Sequence, residues 1–200
     1  MVEHARVSAV ETRILAAAVR LFAEQGFDGT SVQEIVEEAE VTKGALYHYF
    51  DSKNDLLFEI YHSLLSRQLA DLDRILGERL PPREAVQALV AELLDTTTEC
   101  IDEVKVYVRE MRKLDQARMR AIKADRRRYH VTFREFVESA QRAGDFSTVA
   151  SAETVTLLLF GMINDIPQWY SPQGPKTPSE IAAEVSAFLL AALDPALQLR

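Results

Sequence analysis

Residues 30–50 read TSVQEIVEEAEVTKGALYHYF, and this stretch predicts two short helices separated by a tight break. Ser31 and Glu34 have the spacing of a capping box, in which each side chain accepts a hydrogen bond from the other residue's backbone N–H. Thr42 is placed to cap a second short helix that continues to Phe50. Two short helices joined by so few residues are typical of a helix-turn-helix.

A longer amphipathic helix precedes this pair and is predicted to end at Gly26. Glycine adopts a positive φ at no steric cost, and Phe27 can then fold back onto Phe22. The apolar positions of this helix follow the period of one helical face: Ile14, Leu15, Ala18, Leu21 and Phe22. Three helices therefore precede residue 51.

The helix that follows Thr42 has an outward face suited to DNA. Leu46, Tyr49 and Phe50 lie at positions i, i+3 and i+4, so we expect them to face the core. Such a helix leaves its opposite side free for phosphates and base edges in a major groove. That side carries one cation, two aromatic hydrogen-bonding groups and a glycine that permits close approach: Lys43, Gly44, Tyr47 and His48.

Neighbouring side chains can support such a contact. Thr30 and Ser31 lie at the start of a helix, where free backbone N–H groups attract anions. Lys53 lies at the start of the next helix, where we expect its ammonium group to contact a phosphate. These features predict a DNA-binding domain over residues 1–54.

The remainder of the chain, residues 55–200, is also predicted to be helical, with no strand and no internal repeat. The fold class is therefore all-α, with an N-terminal three-helix helix-turn-helix domain and a larger C-terminal helical bundle. We predict about nine helices in all. After the third helix they are a long one opened by Ser52 and Asp55, one over about 83–100, one or two across 101–142, one over 151–168, and a last one opened by a capping box of Thr177 and Glu180.

Composition narrows the class of protein. The 200 residues contain one cysteine, Cys100, so no intrachain disulfide framework is expected. No apolar run approaches the ~20 residues that cross a bilayer, and residues 1–13 lack the apolar stretch of a signal peptide. We therefore expect a cytoplasmic protein that does not enter a membrane. Its histidines, among them His4, His62 and His130, have no ligand spacing, so we expect neither a metal nor a cofactor.

Charge is unevenly distributed along the chain, whose net charge is −8. Residues 1–62 hold five Lys or Arg against eleven Asp or Glu, so any DNA contact there depends on a few well-placed groups. Residues 105–142 hold twelve against five and include the run Arg126-Arg127-Arg128. This positive segment fits two interpretations equally, a solvated helix face or a surface that attracts an anionic ligand.

The chain resembles the TetR family of bacterial repressors over about a quarter of its length. Two segments carry the resemblance: Phe22-x-x-x-Gly26-Phe27-x-x-Thr30-Ser31-Val32-x-x-Ile35, and Val41-Thr42-Lys43-Gly44-Ala45-Leu46-Tyr47-His48-Tyr49-Phe50-x-Ser52-Lys53-x-x-Leu56. The resemblance implies a homodimer that binds operator DNA through its N-terminal domains and a small effector through its C-terminal domains. The family's phosphate-positioning role falls on Thr30 or Ser31, Tyr47 and Lys53, and its base-reading role on Thr42, Lys43, Gly44 and His48.

One position departs from the family pattern. The family usually has glycine in the turn of the helix-turn-helix, where this chain has Glu40. If the backbone there is left-handed, glutamate is strained by roughly 1 kcal/mol. A carboxylate near DNA also repels phosphate.

Two further sets of residues are predicted from the C-terminal part of the chain. Large apolar cavities between helices need aromatic and apolar walls, and two apolar helices near a chain end need a partner. We assign to the effector pocket Tyr107, Met111, Phe133, Phe160, Asn164 and Trp169. We assign to the homodimer interface Leu158, Met162, Val185, Phe188, Leu189 and Ala192.

The effector class rests on a second, local resemblance. The loop Trp169-Tyr170-x-Pro172-x-Gly174-Pro175 is similar to one in TetR-family regulators of lipid and sterol catabolism that sense CoA thioesters. With the positive segment, it favours an acyl-CoA effector. A neutral or cationic hydrophobic compound, sensed by a regulator of drug efflux, is the alternative. An enzyme would need a convergent set of catalytic residues, and the sequence offers none, so we expect no enzyme activity.

Overall fold

The computed structural model describes residues 8–196, and within them the chain forms nine α-helices, one 3-10 turn and no strand. The all-α class and the helix count agree with the prediction. Residues 1–7 and 197–200, at the ends of the two predicted domains, and the predicted surface residue His4 lie outside the described part. The helices are α1 Ala9–Gln25, α2 Val32–Glu38, α3 Lys43–Tyr49, α4 Lys53–Gly77, α5 Pro82–Glu99, α6 Ile101–Glu110, α7 Gln116–Ala143, α8 Ala152–Trp169 and α9 Pro178–Ala192, with the 3-10 turn at Met111–Lys113.

Capping boxes set the starts of several helices. The predicted box of Ser31 and Glu34 is formed, and the backbone N–H of Ser31 donates to Glu34 at 2.7 Å. The predicted box at the start of α9, between Thr177 and Glu180, is also formed. These hydrogen bonds hold the pKa of both glutamates below its usual value, because a carboxylate that accepts N–H bonds is stabilised in its charged form.

The breaks between the first three helices follow the backbone preferences of their residues. Gly26 ends α1 with a φ of +84°, and the rings of Phe22 and Phe27 lie 5.3 Å apart, as predicted. Glu40, in the turn between α2 and α3, has a φ of +52°. The turn therefore keeps the left-handed backbone of a glycine while carrying a β-carbon, which costs roughly 1 kcal/mol.

The chain divides into two compact units. The first unit contains the described residues up to Leu64 together with Asp102–Ile122, and the second contains Leu65–Ile101 and the residues from Lys123 onward. Each has its own core. In the first unit the largest fully buried side chains come from α1 to α4 and include Ile14, Phe22, Ile35, Leu46, Phe50 and Tyr61.

The second unit is a helical bundle in which α9 packs along α5. Its core combines aliphatic residues of α4, α5, α8 and α9 with aromatic residues of α7 and the loop that follows it. No helix between residues 8 and 196 is both long and apolar enough to cross a membrane. The central side chains of the bundle are Leu72, Val86, Leu94, Phe133, Phe146 and Leu159.

Candidate nucleic-acid interface and effector cavities

The outward face of α3 is exposed as predicted. Leu46 and Phe50 are buried beneath it and hold the helix against the rest of the first unit. Tyr47 projects from the opposite side with 52% of its surface exposed. The free side of α3 presents a cation, a phenol, an imidazole and two positions with little bulk: Thr42, Lys43, Gly44, Tyr47 and His48, all exposed.

Tyr49 does not face the core, and this part of the prediction is wrong. A step of three residues turns a helix by about 300°, so Tyr49 lies at the edge of the buried stripe that Leu46 and Phe50 centre. Its side chain is 36% exposed, and its hydroxyl donates to the Oγ of Ser8 at 2.9 Å. Its ring also packs edge-on against His48 at 4.9 Å.

Thr30 and Ser31, which we predicted together, have different surroundings. Thr30 is buried, and its hydroxyl donates to the carbonyl of Gly26 at 2.8 Å, which closes the loop between α1 and α2. Ser31 is exposed, and its Oγ accepts the backbone N–H of Glu34. Ser31 therefore offers a surface position at the start of α2, whereas the structure gives Thr30 a role inside the unit.

Lys53 has partners that the sequence did not indicate. Its ammonium nitrogen donates to the carbonyls of Phe27 at 2.6 Å and Thr30 at 2.7 Å, and lies 4.2 Å from the centre of the Phe27 ring. An ammonium group has three donors, so two are used to fix the loop that leads into α2. This differs from the predicted phosphate contact, because Lys53 positions the start of α2.

Residues 102–122 pack within the first unit, which the sequence did not indicate. Arg109 donates to the carbonyl of Phe22 at the end of α1 and lies 2.8 Å from the carboxylate of Glu110. Glu110 is itself buried, and its Oε1 lies 3.3 Å from where a β-carbon on Gly26 would stand. The glycine that ends α1 therefore also makes room for α6.

A second group of hydrogen bonds joins the segment after α6 to the start of α4. The amide of Asn54 donates to the carbonyl of Lys113 at 2.8 Å and accepts the backbone N–H of Asp115 at 3.1 Å. Arg118 lies 2.6 Å from both Asp55 and Asp115, and hydrogen bonding to these carboxylates raises the pKa of Arg118. We call this group the Asn54–Arg118 clamp, defined by Asn54, Asp55, Lys113, Asp115 and Arg118.

Deeper in the same unit, α4 meets α6 at Tyr61. Its hydroxyl donates to the carbonyl of Val106 at 2.9 Å, and its ring packs edge-on against Tyr107 at 4.9 Å. Burial raises the pKa of Tyr61, so the hydroxyl stays protonated and keeps its donor. Hydrogen bonds between residues 45 apart in the chain leave no periodic signal in a sequence.

The residues predicted for an effector pocket have varied environments. Tyr107 belongs to the first unit, where it is largely buried, and Met111 is half-buried there. Phe133 and Phe160 pack in the core of the second unit with ring centres 6.0 Å apart. Asn164 is exposed. Trp169, at the end of α8, is 54% exposed.

The second unit has two surface cavities relevant to ligands. The first, which we call the Trp169 cavity, has a volume of about 450 Å³ and is mainly apolar. Its lining residues come from the end of α8, the loop that follows and the first half of α9, and include Trp169, Tyr170, Ile181 and Val185. The second, the α7–α8 cavity, has a volume of about 320 Å³ and is lined by Arg127, His130, Val131, Arg134, Glu153, Thr156 and Leu157.

The two described histidines of α4 and α7 are held by aromatic contacts. His62 stacks on Phe58 with ring centres 5.3 Å apart, and His130 stacks on Phe160 at 4.2 Å. Burial, with a smaller contribution from Arg126, lowers the pKa of His130. Between residues 8 and 196, no three His, Cys, Asp or Glu side chains are placed to hold a metal ion together.

The residues predicted for a dimer interface divide into exposed and buried ones. Leu158 of α8 is 58% exposed and Phe188 of α9 is 65% exposed. Leu189 is only 3% exposed and belongs to the core of its own chain, so its assignment to the interface is corrected. The other predicted members, Met162, Val185 and Ala192, are partly buried.

Comparison with known proteins gives two family matches that together span most of the chain. Residues 14–60 match the family described as bacterial regulatory proteins, tetR family. Residues 79–193 match the family described as tetracyclin repressor-like, C-terminal domain. The first match contains α2 and α3, and the second contains α5 to α9.

Individual transcriptional regulators are also similar to this chain over about nine-tenths of its length. The chain is 30% identical over 178 residues to an uncharacterized HTH-type transcriptional regulator, YdgC of Bacillus subtilis, covering 89% of each chain. It is 27% identical over 191 residues to the HTH-type transcriptional repressor KstR2 of Rhodococcus jostii, covering 90% of this chain and 88% of that protein. The solved structure of AibR in complex with isovaleryl coenzyme A and operator DNA superposes with a TM-score of 0.79 and 26% identity, covering 93% and 98% of the two chains. The chain belongs to the tetR family of bacterial regulatory proteins.

Proposed function

We propose that this chain is a transcriptional repressor that binds operator DNA as a homodimer and leaves it when a small effector binds. The observation that carries the proposal is the face of α3, where Lys43, Tyr47 and His48 are exposed above buried Leu46 and Phe50. A helix held from one side, with hydrogen-bonding groups on the other, has the geometry of a recognition helix.

The residues of this face divide into two roles in the proposal. Tyr47 and Ser31 contact phosphates and fix the orientation of the domain, while Thr42, Lys43 and His48 contact base edges. Gly44 allows the backbone to approach the duplex. Lys53 acts indirectly, because its hydrogen bonds to the carbonyls of Phe27 and Thr30 position the start of α2.

A dimer places two recognition helices on one duplex. The exposed apolar side chains of α8 and α9, which include Leu158 and Phe188, supply the interface in the proposal. Two such faces related by a twofold axis form a four-helix contact. The two α3 helices then occupy half-sites about 34 Å apart, one turn of DNA, or somewhat more.

The effector class that we propose is an acyl-CoA. AibR, which shares the fold and 26% identity, is described in complex with isovaleryl coenzyme A. In this chain, the Trp169 cavity provides about 450 Å³ lined mainly by apolar groups, which suits the acyl part. The cations of the part of the positive segment that belongs to the same unit, from Lys123 onward, suit the phosphates. The proposal also holds that the chain acts in the cytoplasm and binds its ligand without transforming it, as expected of a family of DNA-binding regulators.

Release requires that the effector bind two conformations with different affinity. An effector that binds both equally shifts no equilibrium, however tightly it binds. Residues 102–122 are the natural route for such a shift, because the Asn54–Arg118 clamp joins them to the start of α4 and so to the end of α3. A change in this segment alters the placement of the recognition helix.

A mobility-shift titration tests the proposal. The purified dimer is mixed with a labelled duplex that contains the inverted repeat nearest its own promoter, and long-chain and short-chain acyl-CoA, the free acids and a hydrophobic cation are added in turn. We expect retardation of the duplex, reversed by an acyl-CoA and unaffected by the free acid. Release by the cation alone would favour the drug-responsive alternative, and failure to bind any palindromic promoter fragment would contradict the proposal.

A further inference from the structure

The α7–α8 cavity differs from the Trp169 cavity in its chemistry. Arg127, His130 and Arg134 lie at positions i, i+3 and i+7 of α7, so all three face the same side of that helix. Thr156 and Leu157 of α8 form the facing wall. The volume of about 320 Å³ lies at the lower end of the roughly 300–1,000 Å³ typical of small-molecule sites.

The two arginines of this cavity, Arg127 and Arg134, have hydrogen-bond donors that no group in the described part of the chain accepts. Within residues 8–196, no side chain or carbonyl pairs with Arg127, which is exposed. The Nε of Arg134 is buried and has no hydrogen bond there, although it lies 3.4 Å from the carboxylate of Glu138. Two other arginines of α7, Arg118 and Arg128, are instead paired at 2.6–2.7 Å with aspartate. A cavity with such donors on its wall is suited to an anion.

The remaining lining residues of the cavity indicate what kind of molecule carries the anionic group. His130 stacks on Phe160 with ring planes only 12° apart, so its imidazole is held flat at the side of the cavity. Val131 and Leu157 add apolar surface beside it. A flat heteroaromatic ring fits against such a wall, whereas a bare inorganic ion would leave it unused. Glu153, at the α8 side, is the one acidic lining residue and opposes a bare anion.

We propose that the α7–α8 cavity binds the phosphorylated nucleotide end of the effector, with Arg127 and Arg134 on its phosphates and the wall of His130, Val131 and Leu157 against its base. This inference rests on the proposed function in one respect, that the effector is a CoA thioester. The guanidinium groups provide planar donors that match phosphate oxygens.

Calorimetric titration of the intact dimer with adenosine 3′,5′-bisphosphate tests the site directly, because this probe carries phosphates and base without an acyl chain. We expect saturable binding that Arg127→Ala and Arg134→Ala each weaken about tenfold or more, as loss of a charge-assisted hydrogen bond does. Glu153→Gln should strengthen binding, since it removes the opposing charge. Arg120→Ala, at an exposed arginine on the same helix outside the cavity, is the matched control and should leave binding unchanged.

Three outcomes would overturn the inference. They are no saturable binding of the probe, equal binding by the Arg127→Ala/Arg134→Ala double variant, and equal affinity for inorganic phosphate alone. A parallel operator-release assay separates this inference from the proposed function. If acyl-CoA fails to release the wild-type protein while the probe still binds in an Arg127-dependent manner, the effector assignment fails and the site stands.

Discussion

The guanidinium group of Arg118 lies 2.6 Å from a carboxylate oxygen of Asp55, and both side chains are largely shielded from solvent. The two residues are 63 positions apart in the chain, yet they join the start of α7 to the first turn of α4. Asp55 follows α3 by only a few residues. This pair therefore ties the start of α7 to the start of α4, the helix that follows the recognition helix α3 in the chain.

Breaking this link should weaken the effector's control of DNA binding. We expect Arg118→Ala to raise the acyl-CoA concentration needed for half-release of the operator several-fold, while the protein loses only about 1 kcal/mol of stability. Mobility-shift titrations with and without effector measure the two effects. Arg112→Ala, an exposed arginine in the 3-10 turn, is the control. An unchanged half-release concentration in Arg118→Ala would show that the clamp plays no part.

The left-handed turn at Glu40 predicts a stabilising substitution. Glu40→Gly should raise the free energy of unfolding by about 0.5–1 kcal/mol, because glycine adopts a φ of +52° without strain. It should also tighten operator binding by removing a carboxylate near phosphate.

Two controls separate strain from charge at this position. Glu40→Gln removes the charge and keeps the strain, so it should tighten DNA binding with little gain in stability. Arg79→Gly relieves a similar φ of +53° in the second unit and should affect stability alone. Chemical denaturation and operator titration of the three variants test this. A loss of stability in Glu40→Gly would mean that the turn is not strained.

The local features of the fold could be predicted because their partners are close in sequence. The box of Ser31 and Glu34 and the break at Gly26 each depend on residues within one turn of a helix. The same short range gives the buried positions of Leu46 and Phe50. The period of the helix is therefore enough to predict which side of α3 is exposed.

The site's supporting contacts could not be predicted because their partners are distant in sequence. The sequence suggests that the ammonium group of Lys53 is free to contact a phosphate. In the structure it donates hydrogen bonds to two backbone carbonyls more than 20 residues earlier in the chain. Leu189 looked like an interface residue, since an apolar helix position does not show whether its own chain or a partner covers it. Nothing in the sequence around Asn54 indicates that its side-chain amide forms hydrogen bonds with the backbone of residues 113 and 115.

The exposed ring of Phe188 predicts that a charged substitution at this position prevents dimer formation. Phe188→Arg places a charge in the proposed apolar interface, where burial without a partner is costly, so we expect a monomer. Light scattering coupled to gel filtration measures the mass. Val108→Arg, at an exposed apolar position of α6 outside that interface, should remain a dimer. A dimeric Phe188→Arg would place the interface elsewhere.

The partly buried imidazole of His130 predicts that the stability of the fold depends on pH. Because burial lowers its pKa below 6.5, the unfolded chain binds a proton first as the pH falls. The contribution of His130 to the free energy of unfolding is therefore fully present above pH 6.5. It is lost as the pH falls through the pKa of His130 in the folded state. An NMR titration should give a pKa below 6.5 that rises in Arg126→Ala. A value at or above 6.5 in the wild type would contradict the burial of this ring.

The central claim, that α3 presents its outer face to DNA, is tested most directly at Tyr47. Fluorescence anisotropy with a labelled operator duplex compares the wild type with Tyr47→Ala, and with Tyr49→Phe on the same helix as a control. We expect Tyr47→Ala to lose operator binding while remaining a folded dimer, and Tyr49→Phe to bind nearly as well as the wild type. Unchanged operator affinity in Tyr47→Ala would contradict the account.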